Sequence, residues 1–221
     1  MGLQQQSKPM SQKKKADIIF CIDNSGSMSE CIAGVRNTVG SFVSSLESGV
    51  EGQSPVDWQI GLISYSHEEY LFLDLSKDTS GFKNTLSKSV NGWNEFTPGA
   101  VDYAISNASW REGAQRVIVI FTDENLEGGD GGGNRFDELL TKICNSHLQI
   151  VYYGPHCPYY ERFFQCPNAE VNVVENFSGV QFNTLMTRLA VTISSTSPFS
   201  GKDQVSKELV YSTRGIKVIK A

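Results

Sequence analysis

The sequence predicts an open, doubly wound α/β sheet, mostly parallel with one antiparallel edge strand, and helices on both faces. Three observations lead there. Apolar runs such as Ile18-Ile19-Phe20-Cys21-Ile22 and Val117-Ile118-Val119-Ile120-Phe121 show no in-out alternation, as expected of strands covered on both faces. Between such runs, apolar residues recur at spacings of three and four, the mark of amphipathic helices. The two patterns alternate along the chain, which is the rhythm of βαβ units.

Residues 1–15 are polar, rich in Gln, Ser and Lys, and predict a disordered lead. The first strand runs from Asp17 to Ile22, and Ile32, Val35, Val39, Phe42, Val43 and Leu46 then mark a helix that stops near Gly49. After Pro55, Trp58 to Tyr65 reads as a second strand. Tyr70 to Leu75 follows so closely that it must pair antiparallel, as an edge hairpin. Phe82, Leu86 and Val90 outline a short helix broken at Asn91-Gly92, and Val101, Ala104, Ile105 and Ala108 outline a third. Val117 to Thr122 is the fourth strand. The glycine-rich stretch Glu127 to Asn134 predicts a flexible loop, because so many glycines are costly to order. Phe136, Leu139, Leu140 and Ile143 give a helix, Leu148 to Tyr153 a strand, and Val171 to Val174 another, separated by a short aromatic segment among Pro155, Pro158 and Pro167. Phe182, Leu185, Met186, Leu189 and Ile193 form the last helical stripe. Residues 196–221 fall outside this unit; Leu209–Tyr211 and Ile216–Ile219, divided by Arg214-Gly215, suggest a hairpin or a partner-binding segment.

Sheets of this kind build sites at the carboxyl ends of strands where the order reverses. With strand order 3-2-1-4-5-6, the ends of the first and fourth strands are neighbours, and both end on an aspartate: Asp23 and Asp123. The first opens Asp23-Asn24-Ser25-Gly26-Ser27, which presents a carboxylate and two hydroxyls on one loop, with Gly26 expected to permit a tight turn. Such hard oxygen donors suit Mg²⁺ or Mn²⁺ rather than zinc.

An Asp-x-Ser-x-Ser sequence after a hydrophobic strand resembles the metal-ion-dependent adhesion site of the von Willebrand factor type A (VWA) family. The similarity covers roughly residues 16–195 and implies a Rossmann-like fold. The family completes its site with a later Thr and a later Asp, and Thr97, in Glu95-Phe96-Thr97-Pro98-Gly99-Ala100, and Asp123 stand in the matching order and context. The resemblance therefore implies the metal ligands Asp23, Ser25, Ser27, Thr97 and Asp123. It also implies a use: with few anionic donors the ion stays electrophilic, ready for an Asp or Glu from a partner protein. By analogy that partner is an AAA-type ATPase or another complex subunit.

Composition narrows the alternatives. A formal net charge of −5 supplies no basic field for nucleic acid. No apolar run approaches the roughly 20 residues of a membrane helix, and the polar N-terminus lacks a signal core, so a cytoplasmic location is expected and a membrane partner is not. Gly2 does not open a myristoylation pattern because Gln6 stands where Ser or Thr belongs, and Lys13 to Lys15 read as a solvated lead-in. Five cysteines without framework spacing predict reduced thiols. His147, His156, Cys157, Cys166 and Cys144 match no zinc-module spacing, and the Gly128–Gly133 tract lacks the Gly-Lys-Ser/Thr of a phosphate loop. Asn107 and Asn176 open glycosylation sequons that matter only in a secreted chain.

Catalysis is not expected, because no His, Cys or Lys lies within the three motifs to act as a base, and His67 reads as a solvated loop residue. A haloacid-dehalogenase-like phosphatase also places Asp and Mg²⁺ at the end of a first strand, but Ser25 occupies the position of that family's second, acid carboxylate. A third alternative is a scaffold in which the metal loop is purely structural.

Overall fold

The computed structural model describes residues 13–50, 52–66, 69–88, 96–125, 134–166, 168–196 and 217–218. Among these, seven strands form one sheet in the order β3-β2-β1-β4-β5-β6-β7. They are β1 (Lys14–Asp23), β2 (Val56–Tyr65), β3 (Tyr70–Ser76), β4 (Gln115–Phe121), β5 (Leu148–Gly154), β6 (Glu170–Val173) and the two-residue β7 (Lys217–Val218). The helices are α1 (Ser29–Ser48), α2 (Thr79–Leu86), α3 (Thr97–Asn107), α4 (Asn134–Asn145), α5 (Pro158–Glu161) and α6 (Phe182–Ser195). All pairings are parallel except β2 with β3, as the short connection between them requires. The doubly wound, Rossmann-like architecture is the one the sequence predicts.

β1 is the axis of the sheet, flanked by β2 and β4, and residues 16 to 23 are all buried. Its alternate side chains feed two cores. Ile18, Phe20 and Ile22 pack with α1, α2 and α6, where Phe20 meets Phe42 and Phe82 edge to face at ring separations of 5.7 and 5.4 Å. Ile19 and Cys21 join the opposite core with Ala100, Val101 and Ala104 of α3 and Phe136, Leu139 and Ile143 of α4. From Ile18 to Ile22 the strand serves both layers with apolar side chains and Cys21 alone, and its buried carboxylates stand on either side, Asp17 paired with Arg111 and Asp23 at the end.

Several expected boundaries move. β1 begins earlier, because Lys14 and Lys15 already pair with Val56 and Asp57 of β2, and the Lys14 ammonium donates to the carbonyls of Ile193, Ser194 (3.1 Å) and Thr196 at the end of α6. The fourth strand stops at Phe121, so Asp123 lies two residues beyond it. Asn134, expected in the glycine loop, is the first residue of α4. The aromatic segment after Pro155 is α5 followed by a 3₁₀ turn over Arg162–Gln165. In the C-terminal stretch, Lys217–Val218 pairs parallel with Asn172–Val173. The remainder of the proposed hairpin, the N-terminal lead before Lys13, Val90 with Asn91-Gly92, His67 and the Gly128–Gly133 tract lie outside the described residues. No helix among the described residues is long and apolar enough to cross a membrane.

Candidate functional site

The register of the sheet builds the site. Ile22 faces Phe121 across the β1–β4 ladder, so one step further Asp23 comes beside Thr122. Asp23 is fully buried, and its two oxygens are used differently. Oδ1 accepts the Ser25 amide at 2.8 Å, closing the turn; Oδ2 accepts the Thr122 hydroxyl at 3.1 Å, tying the loop after β1 to the loop after β4. The turn continues as a 3₁₀ segment over Gly26–Met28 into α1. Gly26 has ordinary backbone angles and open space where a Cβ would stand, so the turn does not require glycine there, contrary to expectation.

Within this turn the hydroxyl oxygens of Ser25 and Ser27 are 3.0 Å apart. Adjacent corners of an octahedron with metal–oxygen bonds of about 2.1 Å are separated by about 3.0 Å. Ser25 is half-buried and Ser27 exposed, so the pair faces outward from the buried carboxylate. Asn24 anchors the loop to the neighbouring strand: its amide N–H donates to the Tyr65 carbonyl (2.8 Å) and its side chain to Ser64 Oγ (2.6 Å) and the Lys88 carbonyl (3.2 Å).

Thr97 is the first residue of α3 and is fully buried. Its Oγ lies 2.6 Å from the Tyr65 hydroxyl and donates to Glu124 Oε2 at 3.3 Å. The Glu124 amide in turn donates to Thr122 Oγ at 3.0 Å. A continuous relay thus runs from Thr97 through Glu124 and Thr122 to Asp23 and Ser25. Asp123 is half-buried in the same loop. Burial, with the charges of Asp23 and Asp123 adding to it, holds the Cys31 thiol well above its usual range, so both carboxylates bear on one point at the start of α1.

The relay brings in residues that sequence reasoning passed over. By sequence alone Glu124 does not differ from a solvated loop carboxylate, Tyr65 reads as a strand residue and Thr122 as a strand end. Tyr160 of α5 also reaches this region. Its buried hydroxyl makes no well-formed hydrogen bond among the described residues, while burial first, and then the Glu124 charge, push its pKa well above the normal range. Thr97 opposes that shift.

Among the described residues no three His, Cys, Asp or Glu side chains form a metal-holding group. The Asp23 set differs in kind, since Ser25, Ser27 and Thr97 contribute hydroxyl oxygens. The alternative cluster of cysteines and histidines does not assemble: His156 pairs with Glu161 at 2.6 Å, and Cys144 and Cys166 contact each other. All five cysteines are free, as expected.

Comparison with known proteins agrees with this geometry at the level of family. Residues 17–165 match the von Willebrand factor type A domain, and the chain belongs to that family, a type of protein-interaction module. Among solved structures it is similar to the SpRpn10 VWA domain, with 16% identity over 77% of this chain and 93% of that one and a TM-score of 0.59. It is also similar to proximal thread matrix protein 1 from the mussel byssus, in a form with a zinc-occupied metal-ion-dependent adhesion site (15% identity, 80% and 46% coverage, TM-score 0.58). A third is the pilus adhesin SpaC from Lactobacillus rhamnosus GG in its open conformation (16% identity, 83% and 30% coverage, TM-score 0.57). The chain thus spans less than half of the byssus protein and under a third of the adhesin. No curated protein sequence matches it. At these identities the likeness concerns the fold, and it gives the phosphatase alternative no support.

Proposed function

We propose that this chain is a protein-interaction module that holds a divalent cation, Mg²⁺ or Mn²⁺, through Asp23, Ser25, Ser27, Thr97 and Asp123, and presents it to an acidic side chain of a partner protein. The observation that carries the reading is the 3.0 Å pair of serine hydroxyls set against the buried Asp23 carboxylate. Neutral hydroxyls outnumber carboxylates in this set, so a cation bound there keeps Lewis acidity for an incoming carboxylate.

The chain's own residues prepare that role. Thr122 and the Ser25 amide fix the Asp23 carboxylate. Glu124 accepts a hydrogen bond from the Thr97 hydroxyl, so the proton is held off the cation side of that oxygen, and Tyr65 fixes its position. A groove of about 310 Å³ runs outward from Asn24 and Ser25 between α1 and the end of α2. Arg36 and Lys88 line it, and neither is in an ion pair among the described residues. Two cations beside the serine loop complement an acidic partner segment and disfavour a basic one. The partner class in view is a subunit of a cytoplasmic assembly, such as an AAA-type ATPase.

Calorimetric titration of the full chain with Mn²⁺ tests the first half, and retention of an Asp- or Glu-containing partner on the immobilised chain, with and without EDTA, tests the second. One ion per chain is expected, with affinity reduced at least about tenfold in Asp23→Ala and Asp123→Ala, and retention lost in EDTA. Equal Mn²⁺ affinity in wild type and Asp23→Ala would refute the site. Metal binding with EDTA-insensitive retention would leave the ion a structural role and refute the capture mechanism.

A further inference from the structure

The core layer beneath α3 and α4 holds a second chemical feature, apart from the oxygen site. Cys144, in the last turn of α4, and Cys166, at the end of the 3₁₀ turn before β6, place their sulfurs 2.7 Å apart. Cys166 is buried, and its sulfur also faces the Leu140 carbonyl at 3.7 Å; Cys144 is half-exposed. A covalent disulfide needs about 2.05 Å, so a small rotation of either side chain closes the gap. One of the two thiols is reachable from solvent and the other is buried beside it.

We propose that Cys144 and Cys166 are a dithiol modification site that small disulfides of the glutathione type oxidise to an intrachain disulfide. The Cys144 thiolate attacks one sulfur of glutathione disulfide, forming a mixed disulfide and releasing one glutathione thiolate, which takes up the Cys144 proton. Cys166 then gives up its proton and attacks the Cys144 sulfur, expelling the second glutathione as its thiol. Two protein thiols become one disulfide, and one glutathione disulfide becomes two glutathiones. The order of attack follows from the surroundings: burial pushes the Cys166 thiol well up, with Cys144 adding to the shift, which makes Cys166 a poor first nucleophile. The product clamps the end of α4 to the turn that leads into β6, closing a loop between positions 22 residues apart.

The test is peptide mapping of the full chain equilibrated in oxidised and reduced glutathione buffers, with alkylation of the remaining thiols. A Cys144–Cys166-linked peptide is expected in oxidised buffer, reversed by a phosphine reductant, together with a melting temperature about 5–10 °C higher. Cys166→Ser is expected to stop at a glutathione adduct on Cys144, and Cys144→Ser to leave Cys166 unmodified. The mapping of wild type stands alone should either variant fold poorly. Wild-type protein that keeps both thiols alkylatable in fully oxidised buffer, or that ends with glutathione on Cys144, would overturn the assignment.

Discussion

At Thr97 one buried hydroxyl satisfies two neighbours, the Tyr65 phenol and the Glu124 carboxylate. Thr97→Val keeps the shape and removes both contacts, so buried polar atoms lose a partner. Urea unfolding is expected to show a loss of about 1–3 kcal/mol, and Mn²⁺ affinity to drop by about tenfold, while Thr97→Ser retains most of both. Unchanged stability and affinity in Thr97→Val would remove Thr97 from the relay. That Asp23, Ser25 and Ser27 share one turn was legible in the sequence because a strand end and the turn after it announce themselves locally. Glu124, Tyr65 and Thr122 were not. A carboxylate one residue past an aspartate looks the same whether it is solvated or accepts a hydrogen bond from a helix residue 27 positions earlier in the chain.

Helices and strands were the most readable level, because burial on two faces leaves unbroken apolar runs and burial on one face leaves a stripe. What escaped was α5 with its 3₁₀ turn, where prolines obscure a single helical turn; β7 falls inside the Ile216–Ile219 segment suggested for a hairpin, but nothing local announces that it pairs parallel with β6. Tertiary demands on α1 were equally hidden. A Cβ on Gly34 would overlap the Phe182 ring at the start of α6, whereas one on Gly40 would meet only the Lys83 ammonium at 3.7 Å. Both are helix-interior glycines, and nothing nearby in sequence separates them. Gly34→Ala is expected to destabilise by about 1–3 kcal/mol through overpacking of α1 against α6, and Gly40→Ala to stabilise by up to about 1 kcal/mol through helix propensity. Thermal unfolding of the two variants decides this; equal shifts of the same sign would mean that α1 and α6 do not pack as closely as described.

For the whole molecule, the ends of the sheet carry different electrostatics. The end away from the serine loop is held by Arg111, whose guanidinium meets Asp17 at 2.7 Å and Asp57 at 2.9 Å; Lys77 meets Asp57 at 2.8 Å. None of these pairings was read from sequence, since their partners lie far apart in the chain. The Lys77 hydrogen bond, with Arg111 adding and partial burial opposing, holds the Asp57 carboxyl below its usual 3.8. A carboxyl depressed by folding contributes stability above its unfolded pKa and loses it as pH falls through the folded one. Stability measured by denaturant midpoint is therefore expected to decline below about pH 4, and Asp57→Asn to flatten that acid limb. Identical acid limbs in the two proteins would remove Asp57 as a contributor.

The Lys14 clamp on the last turn of α6 has a practical outcome. It fastens the start of the first strand to the close of the final long helix, and β1 then carries the chain about 30 Å along the sheet to Asp23. A bead or sensor surface grafted near residue 13 or residue 196 would therefore hold the domain by its base, leaving the serine loop pointing away from the support and open to whatever flows past.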